Sequence, residues 1–194
     1  MNFLAHIYLS GDDKYLKIGN FIADSIPGKA YLKYPEPVQR GIMLHREIDT
    51  FTDAHPVFRQ SRRRLRKNYG HYSGVIVDIF YDHFLAKNWK NYAGVPLDVY
   101  VAGFYALLEK HYELLPENVQ RMISYMIPQN WLLNYRDPEG IKSALTGLNR
   151  RTHNRSGMHL AISELLQYNK EFEAEFMAFF PELIHFSQSK IAVL

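Results

Sequence analysis

The sequence predicts an all-α fold, a single-domain helical bundle of about seven to nine helices spanning residues 1–194. Three observations carry that expectation. Apolar residues recur at helical spacing along most of the chain, period-two alternation never lasts more than a few residues, and prolines stand repeatedly where a first helical turn tolerates them. At 194 residues, with 47% hydrophobic and 14% aromatic content, the chain can bury one sizeable core.

Residues 36 to 53 keep Val38, Ile42, His45 and Asp49 within a stripe about 60° wide, which makes them one helical face. Residues 57 to 68 form a basic helix with Phe58 and Leu65 as its inner contacts, and 68 to 74, glycine at both ends of an aromatic middle, reads as a loop. The segment 75 to 89 is apolar almost all round and therefore central, with Val75, Asp78, Asp82, Leu85 and Trp89 on one face. A turn at 95 to 98 starts a helix running to about Tyr112, and Pro116 opens another through Ile127. Asp137-Pro138-Glu139 starts a third, carrying Ile141, Leu145 and Leu148. After a basic turn at 149 to 156, Met158, Ile162 and Leu165 begin a C-terminal helical region that Phe172, Phe176, Phe179, Phe180 and Leu183 continue.

Composition narrows the chemistry. The chain has no cysteine, which removes disulfides, thiolate zinc sites and a cysteine nucleophile. The N-terminal stretch lacks the basic leader of a secretory signal, and no run reaches the roughly 18 apolar residues of a membrane span. A cytoplasmic protein without membrane contact is the expectation. The net charge of +3 is modest, but Arg59, Arg62, Arg63, Arg64, Arg66 and Lys67 form one cationic cluster, and Arg150, Arg151, His153 and Arg155 a second. Such patches steer acidic partners or lie as solvated faces.

Two helical stretches each carry metal-type ligands four residues apart, His45 with Asp49 and Asp78 with Asp82. At about 100° per residue such pairs share a face. Carboxylates among Val, Ile, Phe and Leu must be paired, protonated or coordinated, so a cation or shared proton is expected between Asp78 and Asp82. Asp24, in Gly19-Asn-Phe-Ile-Ala-Asp24, and His6 are further candidates, and His83 a weaker one. His6 also fits a satisfied core histidine, Asp49 and Asp53 fit salt bridges to Arg46 or another base, and Asp53 fits a cap for the helix starting near Pro56. A mixed His and Asp set suits manganese, iron, zinc or magnesium better than calcium. A bound metal lowers the pKa of water, and an arginine such as Arg46, or more distantly Arg151 and Arg155, neutralises charge on phosphorus. No glycine-rich phosphate loop or serine nucleophile elbow is present.

At these residues the sequence resembles the bacterial acyl carrier protein phosphodiesterases, also called acyl carrier protein hydrolases. The blocks are Met1-Asn-Phe-Leu-Ala-His6, Gly19 to Asp24, Gly41 to Asp53 followed by His55-Pro56, and Asp78-Ile-Phe-Tyr-Asp-His-Phe-Leu-Ala86. The resemblance implies a distorted HD-domain-like fold. It also implies hydrolysis of the phosphodiester joining 4′-phosphopantetheine to a serine of holo acyl carrier protein, with manganese favoured. By motif matching it brings Asp24, His45, Asp78 and Asp82 as the core of the site, with His6 and Asp49 next. On this basis the metal set is His6, Asp24, His45, Asp78 and Asp82, and the catalytic set is Asp24, His45, Arg46 and Asp49. The carrier is acidic around its modified serine, so Arg59, Arg63, Arg66 and Lys67 are expected to dock it. The alternatives are an HD-like phosphohydrolase of a nucleotide or small phosphate ester, and a non-catalytic helical module binding nucleic acid or an acidic protein.

Overall fold

The computed structural model describes residues 1–194. In chain order its α-helices are α1 Phe3–Leu9, α2 Lys14–Ile22, α3 Glu36–Ala54, α4 Pro56–Tyr69, α5 Ser73–Lys87, α6 Leu97–Lys110, α7 Glu117–Met126, α8 Trp131–Asn134, α9 Pro138–Arg151, α10 Ile162–Gln167 and α11 Asn169–Ile191. Nine of the eleven have seven residues or more, short 3-10 turns join several of them, and there is no strand. No helix is long and apolar enough to cross a membrane.

Helix α5 is central, as its all-round apolarity requires, with eleven of its fifteen residues buried. Helix α11 packs Phe172, Phe176 and Phe179 against it, all three fully buried. Phe80 meets Phe172 edge-on at 5.1 Å and Tyr81 meets Phe176 at 5.6 Å, the tilted geometry aromatic quadrupoles prefer. Each such side chain contributes about 1.5–3 kcal/mol through burial. One continuous apolar core runs from Met1 to Leu183.

The helix starts follow the proline signals. Pro56 and Pro138 sit in the first turns of α4 and α9, and Pro116 immediately precedes α7. The expected loop at 68 to 74 is shorter than anticipated. Helix α4 continues to Tyr69, Gly70 turns the chain at φ 54°, and α5 begins at Ser73, because one residue of left-handed backbone suffices for the break. Asp53 does not cap α4. The His55 side chain accepts from the Val57 N–H at 3.3 Å, while Asp53 pairs with Arg62 at 3.2 Å. Arg64 leaves the basic face altogether: it bonds buried Glu175 at 2.8 Å, which also receives the Ser61 hydroxyl.

Helices α2 and α3 cross unusually closely. A methyl built on Gly41 would overlap the Leu16 carbonyl and stand 2.9 Å from Gly19 Cα, and one on Gly19 would overlap the Val38 carbonyl. Two facing glycines bring the backbones together and put Asn20 of α2 beside His45 of α3.

Candidate metal centre and its cleft

His45 lies on the inner stripe of α3, as its spacing with Val38 and Ile42 predicts. Its Nδ1 faces the Asn20 carbonyl at 2.9 Å and the Asn20 Oδ1 at 3.1 Å, so Nδ1 carries the hydrogen and Nε2 points the other way. Nε2 meets Asp24 Oδ1 and Asp49 Oδ2, each at 3.1 Å. Asn20 is fully buried and also donates its amide to the His6 carbonyl at 2.9 Å and to Ser10 Oγ at 3.0 Å. One amide thereby ties α1, α2 and α3 together behind the site.

His6, on α1, stacks on His45 with ring centroids 3.9 Å apart. Its Nε2 reaches Asp49 Oδ1 at 3.2 Å, and its buried Nδ1 has no hydrogen-bond partner. The two imidazoles thus hold opposite oxygens of one carboxylate, and the ligand atoms of His6, His45 and Asp49 lie within 4.8 Å of one another. The charges follow from this geometry. Burial and the neighbouring His45 push the His6 pKa down to about 4. Burial also opposes charge on His45, but Asp24 and Asp49 outweigh it and raise the value to about 9. Asp49 is held well below the usual carboxylate range: burial works against its charge, and the hydrogen bonds to both histidines prevail.

The other expected ligands have different surroundings. Asp24 sits on a 3-10 turn after α2, with an exposed side chain at the edge of the cluster, and its bond to His45 keeps its pKa low. Asp78 has a cation, but it belongs to the chain: the Met1 α-ammonium lies 2.9 Å from Asp78 and 3.5 Å from Asp49. Burial lowers the pKa of that ammonium and the two carboxylates raise it further, to about 10. Asp82, fully buried, accepts the Leu4 N–H at 2.7 Å and the Ala5 N–H at 3.1 Å. It does the work of an N-cap for α1, whose own cap residue Asn2 makes no side-chain bond to the first turn. His83 donates Nδ1–H to the Tyr135 carbonyl at 2.8 Å.

Arg46 is adjacent to His45 in sequence but not in space. Its guanidinium donates to the Ile26 and Gly28 carbonyls at 3.2 and 2.7 Å and lies over Tyr31, fixing the segment after Asp24. Met1 and Asn20 were not among the candidates. Asn20 had a visible signal, an amide inside the apolar block Gly19 to Asp24, whereas the placement of Met1 depends on how α1 docks on α5.

Asp24 and Asp49 line a cleft of about 1720 Å³. It is lined also by Asp78, Val75 and Ile79 of α5, by Met122 and Tyr125 of α7, and by residues of α9. Arg121, Lys142, Arg150 and Arg151 line the same cavity, and none of Arg59, Arg63, Arg66 or Lys67 does.

Comparison with known proteins agrees with the resemblance. The profile of a family described as acyl carrier protein phosphodiesterase matches residues 1–183. A protein of that name from Photorhabdus laumondii subsp. laumondii is 31% identical over 98% of this chain and 96% of its own length. Namesakes from Yersinia enterocolitica and Escherichia coli O6:H1 are 28% and 30% identical, over 98% of this chain and 99% of theirs. No solved structure matches the chain, so the HD-like comparison has no counterpart among them.

Proposed function

From the premise that this chain belongs to the acyl carrier protein phosphodiesterase family, we propose that it hydrolyses the phosphodiester joining 4′-phosphopantetheine to a serine of holo acyl carrier protein at the His6, His45 and Asp49 cluster. The observation that carries the location is the stacked histidine pair, with its two Nε2 atoms on opposite oxygens of Asp49, which lines the cleft.

The donor set fits a divalent cation. Two imidazoles and a carboxylate converge within 4.8 Å, with Asp24 and Asp78 beside them, a mixture that suits manganese, with iron, zinc or magnesium as alternatives. His6, His45 and Asp49 would hold it, and when bound it would supply charge neutralisation on the phosphoryl oxygens and activation of water. Asn20 keeps the hydrogen on His45 Nδ1, which leaves Nε2 as the ligating atom, the usual arrangement behind a metal-bound imidazole. Asp24, ionised and exposed to the cleft, is placed to accept a proton from water. Asp82 supports the site from beneath by holding the first turn of α1, and with it His6. A small phosphate ester would use the same cluster, and the family favours the carrier protein.

The test is to incubate metal-loaded protein with holo acyl carrier protein and follow the mass of the carrier. Loss of the phosphopantetheine mass, abolished by chelator and by Asp49→Asn, is expected. No loss with manganese, magnesium, iron or zinc refutes the reading.

A further inference from the structure

Resting on the carrier-protein reading, we propose that the carrier docks across the mouth of the cleft on α7 and α9, its acidic face meeting Arg121, Lys142, Arg150 and Arg151, and not along α4. The phosphodiester is short, so the serine bearing it must stand close to the cluster, and the surface around that serine must cover the cleft that Asp24 and Asp49 line. Those four cations line that cavity together with Asp24, Asp49 and Asp78. Cations around that cleft complement an acidic partner and steer its approach.

The rim cations are available. No carboxylate lies within 4.0 Å of Lys142, Arg150 or Arg151, and Arg121 has only a loose pair, 3.7 Å to the exposed Glu117 on its own helix. Of the rim acids, Asp137 is already taken by Arg136 at 3.2 Å, leaving Glu139. By contrast α4 pairs two of its cations with carboxylates, Arg64 with Glu175 and Arg62 with Asp53, and the Arg59 Nε is held on the Asp53 carbonyl with its charge uncompensated.

The wall between the cations suits a helical partner. Beyond Lys142, α9 offers Ser143, Thr146 and Gly147, and a methyl built on Gly147 would meet nothing within 4 Å, so a second helix can approach closely. Tyr125 and Val75, 62% and 41% exposed, stand in the same cavity as apolar contacts.

The decisive comparison is the charge reversal Lys142→Glu with Arg150→Glu against Arg63→Glu with Lys67→Glu, each checked for an unchanged melting temperature. Three quantities are measured: KM for holo carrier, KM for bis(p-nitrophenyl) phosphate, and the Kd of fluorescently labelled apo carrier by anisotropy. The cleft reversal is expected to raise the carrier KM and Kd by about tenfold or more, far more than the KM for the small diester, and the α4 reversal by less than about threefold. A larger effect from the α4 pair, or an unchanged Kd after the cleft reversal, overturns the proposal. Because Kd does not depend on turnover, the two readings separate. Wild-type protein that binds apo carrier through the cleft cations but releases no phosphopantetheine retains the docking surface and loses the assigned reaction. Active protein indifferent to the cleft reversal loses only the docking surface.

Discussion

Asp82→Asn tests whether the deepest carboxylate holds a helix or a cation. In the structure Asp82 is fully buried and its two oxygens take the Leu4 and Ala5 amides at 2.7 and 3.1 Å, two of the donors that a helix start leaves without partners. An asparagine keeps one oxygen acceptor and presents an NH₂ to the other amide. The retained bond drops from charge-assisted to neutral strength, a loss of about 1 kcal/mol, and the abandoned buried N–H costs about 1–3 kcal/mol. Against this stands the relief of no longer burying a charge, since burial pushes the Asp82 carboxyl up to about 7 despite the two amides. At pH 8, where the wild-type group is ionised, that rise from 3.8 to about 7 is worth about 4 kcal/mol and offsets the losses; at pH 4, where the folded group is protonated, most of the relief is gone and the abandoned N–H leaves about 2 kcal/mol of destabilisation. For a chain of this size that is a melting temperature lower by about 4–8 °C at pH 4. Thermal unfolding at pH 4 followed by far-ultraviolet circular dichroism gives the first number, and calorimetric titration with manganese at pH 8 below the transition gives the second. The expected result is a lower melting temperature with the stoichiometry of cation binding retained. An unchanged melting temperature together with lost cation binding would show that Asp82 is a ligand and that its amide contacts carry little energy.

Two further outcomes follow from the same geometry. Gly41→Ala places a methyl against the Leu16 carbonyl and 3.0 Å from the Asn20 amide nitrogen. The helices must part, at an overpacking cost of about 1–3 kcal/mol. Because separation also withdraws Asn20 from His45, manganese affinity should fall along with the melting temperature; stability lost with affinity unchanged would detach Asn20 from the site. The second outcome concerns pH. His45 keeps its proton up to about 9 in the absence of metal, while His6, pushed down to about 4, is neutral at pH 7. A cation taking His45 Nε2 must therefore release about one proton, and apparent affinity should rise about tenfold per pH unit from 6.5 to 8.5. Calorimetry in buffers of different ionisation enthalpy counts that proton directly, and a pH-independent affinity would remove His45 from the ligand set.

Much of the fold is legible from local pattern. The aliphatic stripe of α3, the all-round apolarity of α5 and the phenylalanine series of α11 each state a burial direction, and the structure buries those residues. The short α8 at Trp131–Asn134 lacked such a signal, since four residues cannot display a helical period. At the site, His45 and Asp49 are legible as an i, i+4 pair because one helix carries both. Asp78 and Asp82 form a similar pair with a different outcome. Both are charges among apolar neighbours that need compensation, as the pattern says, but the compensation comes from the start of α1: the Met1 ammonium for one and two backbone amides for the other. Arg46 shows the converse, since adjacency to His45 along the chain turned it towards the 26–28 carbonyls.

The sequence by itself determined the helical class, the family and the need to neutralise acids on two buried stripes, because periodicity and desolvation act within a few residues of a position. The tertiary structure decided which of those acids meet histidines, which meet the chain's own N-terminus, and which basic cluster shares the cleft with them. Those choices depend on how α1, α2, α3 and α5 converge and on where α7 and α9 leave an opening. They are packing decisions between elements far apart in the chain, and no local spacing encodes them.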